Sequence, residues 1–333
     1  MDSRIEKRKR NWLDLYEGKR ESVVIMSYDH NLGERPWPYP ENREGRIRWA
    51  LDSYRKGMEA LDWLEDDGIP HLFPYTGTEV FAEAFGCRVH YPGNDMPFAL
   101  PAVRNAKEFA RLKTPKLWDS NLAVLFDTGE RLISAEPDGL MQLPDIQSPL
   151  DIAALIWEKE DFYAAMYEEP SAVKELIAMT QGLLTEFLDE WFKRFGTEFI
   201  AHYPDYYMPF GVTLSEDEVG AISPEMFGEF SLGGINELSR RYGKLGVHCC
   251  ADSIHQWDGF ASMENLVLLN LNQPAEIIKK AYRRFAGVCA QMHTGLPEEE
   301  IDFPEARIVY QTGASDRDDA KRKLEKIRMG DIA

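Results

Sequence analysis

Cysteine is scarce in this chain. The four present, Cys87, Cys249, Cys250 and Cys289, are too few and too unevenly spaced for a disulfide framework. Long apolar runs are missing as well, since no window approaches the ~18 uninterrupted apolar residues of a membrane span. Residues 1–20 are charged and helical in pattern with no apolar centre, unlike a signal peptide. Basic residues are in deficit: 38 Lys and Arg stand against 57 Asp and Glu, for a formal net charge of -19. A surface that acidic excludes nucleic acid and anionic membrane as partners, because both need a basic face. No glycine-rich phosphate fingerprint follows the first apolar strand, which argues against a dinucleotide-binding sheet. These absences leave a reduced, cytoplasmic protein acting on a small molecule.

What is there is ordinary globular material, 44% hydrophobic over 333 residues, enough to bury one large core. The reading is a single domain over residues 1–333. An amphipathic N-terminal helix carries Trp12, Leu13 and Leu15. Apolar strands are expected at Ser22–Ser27, Ile69–Tyr75, Leu132–Met141, Glu198–Tyr203, Leu245–Cys250, Leu266–Leu271, Gly287–Met292 and Arg307–Gln311. Helical spacing recurs at 46–68, 149–168, 170–194, 223–242, 274–285 and 316–328. Alternation of this kind predicts parallel strands with crossover helices. The expected fold is α/β, an eight-stranded parallel (β/α)8 barrel of the TIM type, with an elaborated excursion at residues 76–131 over its mouth.

Residues 245–252, Leu-Gly-Val-His-Cys-Cys-Ala-Asp, carry the most chemistry. His248 and Cys250 are two apart, so an extended chain points them to one side. An imidazole and a thiolate there supply half of a tetrahedral zinc site. Cys249 points the other way. A second constellation is Ala201-His-Tyr-Pro-Asp-Tyr-Tyr-Met-Pro209, which puts His202, Asp205 and Tyr207 near the expected mouth. Asp205 is the candidate general base, provided desolvation raises its pKa. Gln142 and Asp145 after the third strand, and Gln291, His293 and Gln311 on the last two, share that address. Tyr28 stands where the first strand runs into Tyr28-Asp29-His30-Asn31. With Trp37, Tyr39 and Tyr206 it suggests a flat ligand. Glu79 and Glu83, four apart, share a helix face that reads as solvated.

Ser223-Pro-Glu-Met-Phe-Gly-Glu-Phe230 followed by Gly246-Val-His-Cys-Cys-Ala-Asp252 resembles the uroporphyrinogen decarboxylase superfamily, and most closely its corrinoid-linked methyltransferase branch. Gly77-Thr-Glu-Val-Phe-Ala-Glu-Ala-Phe-Gly-Cys87, Ser148-Pro-Leu-Asp-Ile-Ala-Ala-Leu-Ile156 and Pro170-Ser-Ala-Val-Lys-Glu-Leu176 support the likeness. The resemblance implies a zinc held by His248 and Cys250, a corrinoid on a separate partner protein, and a homodimer. Ala251 replaces the branch's usual glycine, and its later zinc-binding cysteine has no counterpart near Gly313-Ala314. A carboxylate that can serve as fourth ligand is replaced around Asn270 to Asn272. His293 or Cys289 would complete the site, with His293 nearer the strand's carboxyl end.

The decarboxylase itself resembles a basket for a polycarboxylate, with an arginine-rich loop after its first strand and a histidine after its last. Here Arg35 is the first basic residue after that strand, and the last strand ends without histidine. Methyl transfer or demethylation of a small methylated compound is therefore the leading expectation. The alternatives are a metal-free decarboxylase of a smaller acid using Asp205, and a binding protein that has lost catalysis.

Overall fold

The computed structural model describes residues 2–28, 30–297 and 300–329, so Asp29 lies outside the described residues. Strand segments in chain order are β1 Ser22–Tyr28, β2 His71–Leu72, β3 Arg88–His90, β4 Phe98–Leu100, β5 Leu140–Met141, β6 Phe199–Ile200, β7 Tyr207–Met208, β8 Val212–Ser215, β9 Leu245–Cys249, β10 Leu266–Leu271, β11 Ala290–Gln291 and β12 Arg307–Ala314. Six of them form one sheet in the order β1-β12-β11-β10-β9-β8, parallel throughout. Helices such as Ala275–Phe285 connect successive strands, as a parallel sheet requires.

Between β8 and β1 the pairing thins. β2 and β5 make a two-stranded parallel fragment, and single parallel bridges join Gln142 to Ile200 and Gln147 to Ser215. Side chains take over at the exposed edge of β1. The carboxylates of Asp67 and Asp66 accept the amides of Val24 and Met26, both at 2.9 Å. Arg8 from the N-terminal helix Ser3–Tyr16 pairs with Asp66 at 2.7 Å, and the Trp12 indole donates to the Asp67 carbonyl. Backbone groups that a ladder would satisfy are thus satisfied by two adjacent acids.

The α/β class and the parallel sheet are as expected, but several strands differ. Leu132 belongs to a helix, Leu122–Ala135, which buries Leu122, Leu125, Phe126 and Leu132 at helical spacing. Only Leu140–Met141 is extended there. The segment expected over 69–75 pairs only at His71–Leu72, where Pro70 and Pro74 flank it and lack the N–H a ladder needs. β8 was not expected at all. It is four residues long and entirely buried, so it shows no alternation to read. Residues 76–131 hold the antiparallel β3–β4 hairpin, several short helical turns and the start of the Leu122–Ala135 helix.

The longest helix, Pro170–Phe195, starts with proline at its first position and is ended by Gly196 at φ 88°. Its buried face runs Val173, Leu176, Leu183, Leu184, Phe187, Leu188 and Trp191, and packs on helix Pro149–Ile156. In β9, a side chain at Gly246 would collide with the Tyr206 hydroxyl, so glycine is needed two residues before His248. Among the described residues no helix is long and apolar enough to cross a membrane.

Candidate functional site

Register places the chemistry. Ser215, His248 and Asn270 are Cα partners across β8, β9 and β10, so their side chains form one transverse row. The Nδ1 of His248 lies 2.5 Å from Asn270 Oδ1, and the Asn270 amide nitrogen donates to the Met292 carbonyl, which fixes the oxygen toward the histidine. The imidazole therefore donates from Nδ1 and keeps its Nε2 lone pair open. Burial lowers the His248 pKa, favouring the neutral ring that binds metals.

Asp217 completes a group that sequence reasoning missed. A carboxylate oxygen of Asp217, a ring nitrogen of His248 and the sulfur of Cys250 lie within 4.8 Å of one another. The Cys250 amide donates to Asp217 Oδ1 at 2.6 Å, tying the two loops together. Beneath them the Asp151 carboxylate accepts the amides of Asp217 and Glu218 at 2.8 and 3.0 Å, which holds the turn after β8. Cys250 is exposed as a residue, yet partial desolvation of its sulfur and the charge of Asp217 push its thiol up to about 12. A carboxylate beside a thiolate is an arrangement that a dication stabilises. One oxygen, one imidazole nitrogen and one sulfur, with the Asn270 side chain holding the histidine ring, suit zinc.

His202 and Asp145 flank this group. His202 Nε2 lies 3.1 Å from Ser215 Oγ and 3.5 Å from Asp145 Oδ1. Burial and the neighbouring His248 push His202 down to about 3, so it is neutral. Burial, with the charge of Asp217, pushes Asp145 up to about 7. The Tyr203 ring packs edge-on against His248 at 4.8 Å.

Glu79 corrects an expectation: it is 5% exposed rather than solvated, while its neighbour Glu83 accepts from Asn121. Burial, with Asp145 and Glu83 adding to it, pushes Glu79 up to about 8. The folded chain thus holds a proton that the unfolded chain releases near pH 4.5, so stability falls as pH rises from about 4.5 to about 8. Glu79 alone contributes a slope of about 1.4 kcal/mol per pH unit within that window, and Asp145 adds to it with the same sign. Urea unfolding of metal-free protein at several pH values checks this. Glu79→Gln should remove about that share of the slope, and an unchanged slope would discount Glu79.

The remaining expected residues divide. Tyr28, Asp205 and Tyr207 line a cavity of about 420 Å³. Gln142, fully buried, links that cavity to the His202 loop by donating to Asp205 Oδ1 at 2.6 Å and to the Ala201 carbonyl at 2.8 Å. Burial raises the Asp205 carboxyl, while His71, the Gln142 hydrogen bond and Arg35 pull it back. Tyr207 donates its hydroxyl to Glu198.

His293 and Gln291 are not brought to the cluster. His293 Nδ1 accepts from the Leu271 amide at 3.0 Å, so its Nε2–H faces Gln291 Oε1 at 2.9 Å. Gln291 in turn donates to the Tyr282 carbonyl on helix Ala275–Phe285, and the Tyr282 ring packs on His293. Their face of the chain looks at the helix layer, and both ring nitrogens are engaged. Cys289 is buried, Cys249 likewise, and Gln311 is exposed on β12.

No curated protein matches the chain. A methyltransferase from Methanosarcina mazei shares the fold, with a TM-score of 0.68 over 96% of this chain and 97% of that one at 11% identity. The family model for uroporphyrinogen decarboxylase (URO-D) matches residues 71–291, about two thirds of the sequence, a stretch that holds Asp145, Asp217, His248 and Cys250. The chain belongs to the uroporphyrinogen decarboxylase family.

Proposed function

We propose that this protein is a metal-dependent methyltransferase, moving a methyl group between a small methylated compound or thiol and a corrinoid carried by a separate protein. The observation that carries the reading is the convergence of Asp217, His248 and Cys250 within 4.8 Å. Three protein donors leave a fourth position for substrate, the pattern of a catalytic rather than a structural zinc. Bound there, zinc supplies Lewis acidity that lowers the pKa of a thiol or polarises the heteroatom bearing the methyl group. Asn270 sets the His248 tautomer, and Asp151 holds the Asp217 turn. Asp145, at about 7, can hold or release a proton near neutral pH. The sheet and the β2–β5 fragment read as arcs of one closed barrel, with the cluster at the carboxyl ends of its strands.

Protein purified without chelator or affinity tag should carry about one zinc per chain. It should also demethylate methylcobalamin in the presence of a thiol, followed by the change in cobalamin absorbance. His248→Ala should lose both. A metal-free wild type, or full activity in the mutant, would remove the reading. The Asp205 carboxyl at the cavity supports a second one, decarboxylation of a small acid. Carbon dioxide release that Asp205→Asn abolishes would favour it.

A further inference from the structure

Beside the metal cluster the chain carries more buried acceptors than donors. Glu79 is 5% exposed and Gln147 8%. The atoms Glu79 Oε2, Asp145 Oδ1 and Gln147 Oε1 are buried and receive no hydrogen bond among the described residues. Buried oxygens are nearly always paired in folded proteins, so three together point to a donor that arrives from outside.

Packing sets the three on one side of the cluster. Gln147 bridges to Ser215 in parallel register, which makes it the next member of the transverse row through His248 and Asn270. Asp145 lies two residues earlier. Its Oδ1 is 3.5 Å from His202 Nε2, whose nearer partner is Ser215 Oγ at 3.1 Å. The Asp145 amide donates to Thr76 Oγ1 at 2.8 Å, and the Glu79 carboxyl folds back over the adjoining Gly77, where a Cβ would collide with Oε2. Burial and the charge of Asp217 favour a proton on Asp145, and burial with Asp145 and Glu83 does the same for Glu79. Arg46 pulls the other way on Glu79. Its guanidinium is turned to the Tyr75 carbonyl at 2.6 Å, and its pull still leaves Glu79 at about 8. Both shifts come from burial and crowded negative charge, which a bound cation would relieve.

We infer that Glu79, Asp145 and Gln147 seat a primary ammonium group, so that the small compound at the cluster is a cationic amine. Three N–H donors in a tetrahedral array match acceptors carried by three separate side chains, whereas a guanidinium presents its donors in a planar fork. The ammonium anchors and does not react, because a protonated nitrogen has no lone pair to offer a metal. The atom that gains or loses the methyl group is then a second heteroatom, sulfur or oxygen, facing Asp217, His248 and Cys250. That last step rests on the methyl-transfer reading, and the ammonium seat does not. The formal net charge of -19 draws a cation toward the protein.

The test is calorimetric titration of the full chain with 2-methoxyethylamine and with its neutral isostere 2-methoxyethanol, first in chelator and then with added zinc. The amine is expected to bind at least about tenfold tighter than the alcohol, the equivalent of about 1.4 kcal/mol. Glu79→Gln and Asp145→Asn should each cut that ratio, and the double variant should bring it to unity. A ratio of two affinities does not move when part of the protein is unfolded, so a folding defect cannot imitate the result. Asp217→Ala should keep the ratio, and so should the wild type with or without zinc. A chain that holds no zinc would therefore remove the methyl-transfer reading and leave the seat standing. Equal affinity for the two probes, or binding of neither at millimolar concentration, would overturn the inference. So would a ratio that survives the double variant, or one lost in Asp217→Ala or on adding zinc, which would put the amine at the cluster itself.

Discussion

Asp217→Ala is expected to weaken zinc binding by at least about 100-fold, beyond the ~10–100-fold lost with a group that only orients a ligand. The reason is the donor count. Asp217, His248 and Cys250 are the ligand atoms that converge within 4.8 Å among the described residues. Removing the carboxylate leaves two protein donors and takes away the charge that balances the dication. It also frees the Cys250 amide, which donates to Asp217 Oδ1 at 2.6 Å, so the sulfur loses its tether. Cys250→Ala should behave alike. His293→Gln is the contrasting variant, because both nitrogens of His293 are already engaged and neither faces the cluster. Competition with a chromophoric chelator measures each affinity. Equal zinc affinity in wild type and Asp217→Ala would discard the three-donor site, and a loss in His293→Gln would restore the ligand set that spacing suggested.

Asp66→Ala should destabilise the fold by about 3–5 kcal/mol, the range for leaving one member of a buried ion pair unpaired. Asp66 carries two jobs at once. Its Oδ1 pairs with Arg8 at 2.7 Å, and its Oδ2 accepts the Met26 amide at 2.9 Å. Arg8 is 7% exposed, so its charge cannot move into water without opening the contact between the N-terminal helix and β1. Burial raises Asp66 to about 6 even against the pull of Arg8, so the pair is charged at neutral pH. Asp66→Asn keeps an acceptor for Met26 and loses only the charge, so its cost should be smaller. Urea unfolding at neutral pH gives both values. A loss below about 1 kcal/mol in the alanine variant would show that the helix can relax around an unpaired arginine.

His248 and Cys250 were legible because both lie at one strand end, where a spacing of two fixes a shared side. Asp217 was not legible. It follows a strand with four buried residues and no alternation, and its approach to His248 depends on the register of β8 against β9. Glu79 misled for a related reason: helical spacing tells which residues share a face, and only packing tells whether that face meets water.

The sequence by itself determined the family, the parallel α/β class, most of the strand positions and the pairing of His248 with Cys250. Those are properties of local pattern, set within a few residues of chain. The tertiary structure alone decided that Asp217 stands beside His248 and Cys250 and that His293 turns to the helix layer. It also decided that Arg35 stands over three aromatic rings. Each of these depends on side chains from elements distant in sequence meeting in space. Alternation along one strand can fix which residues share a side, but the neighbour that strand faces is set by packing across the whole domain.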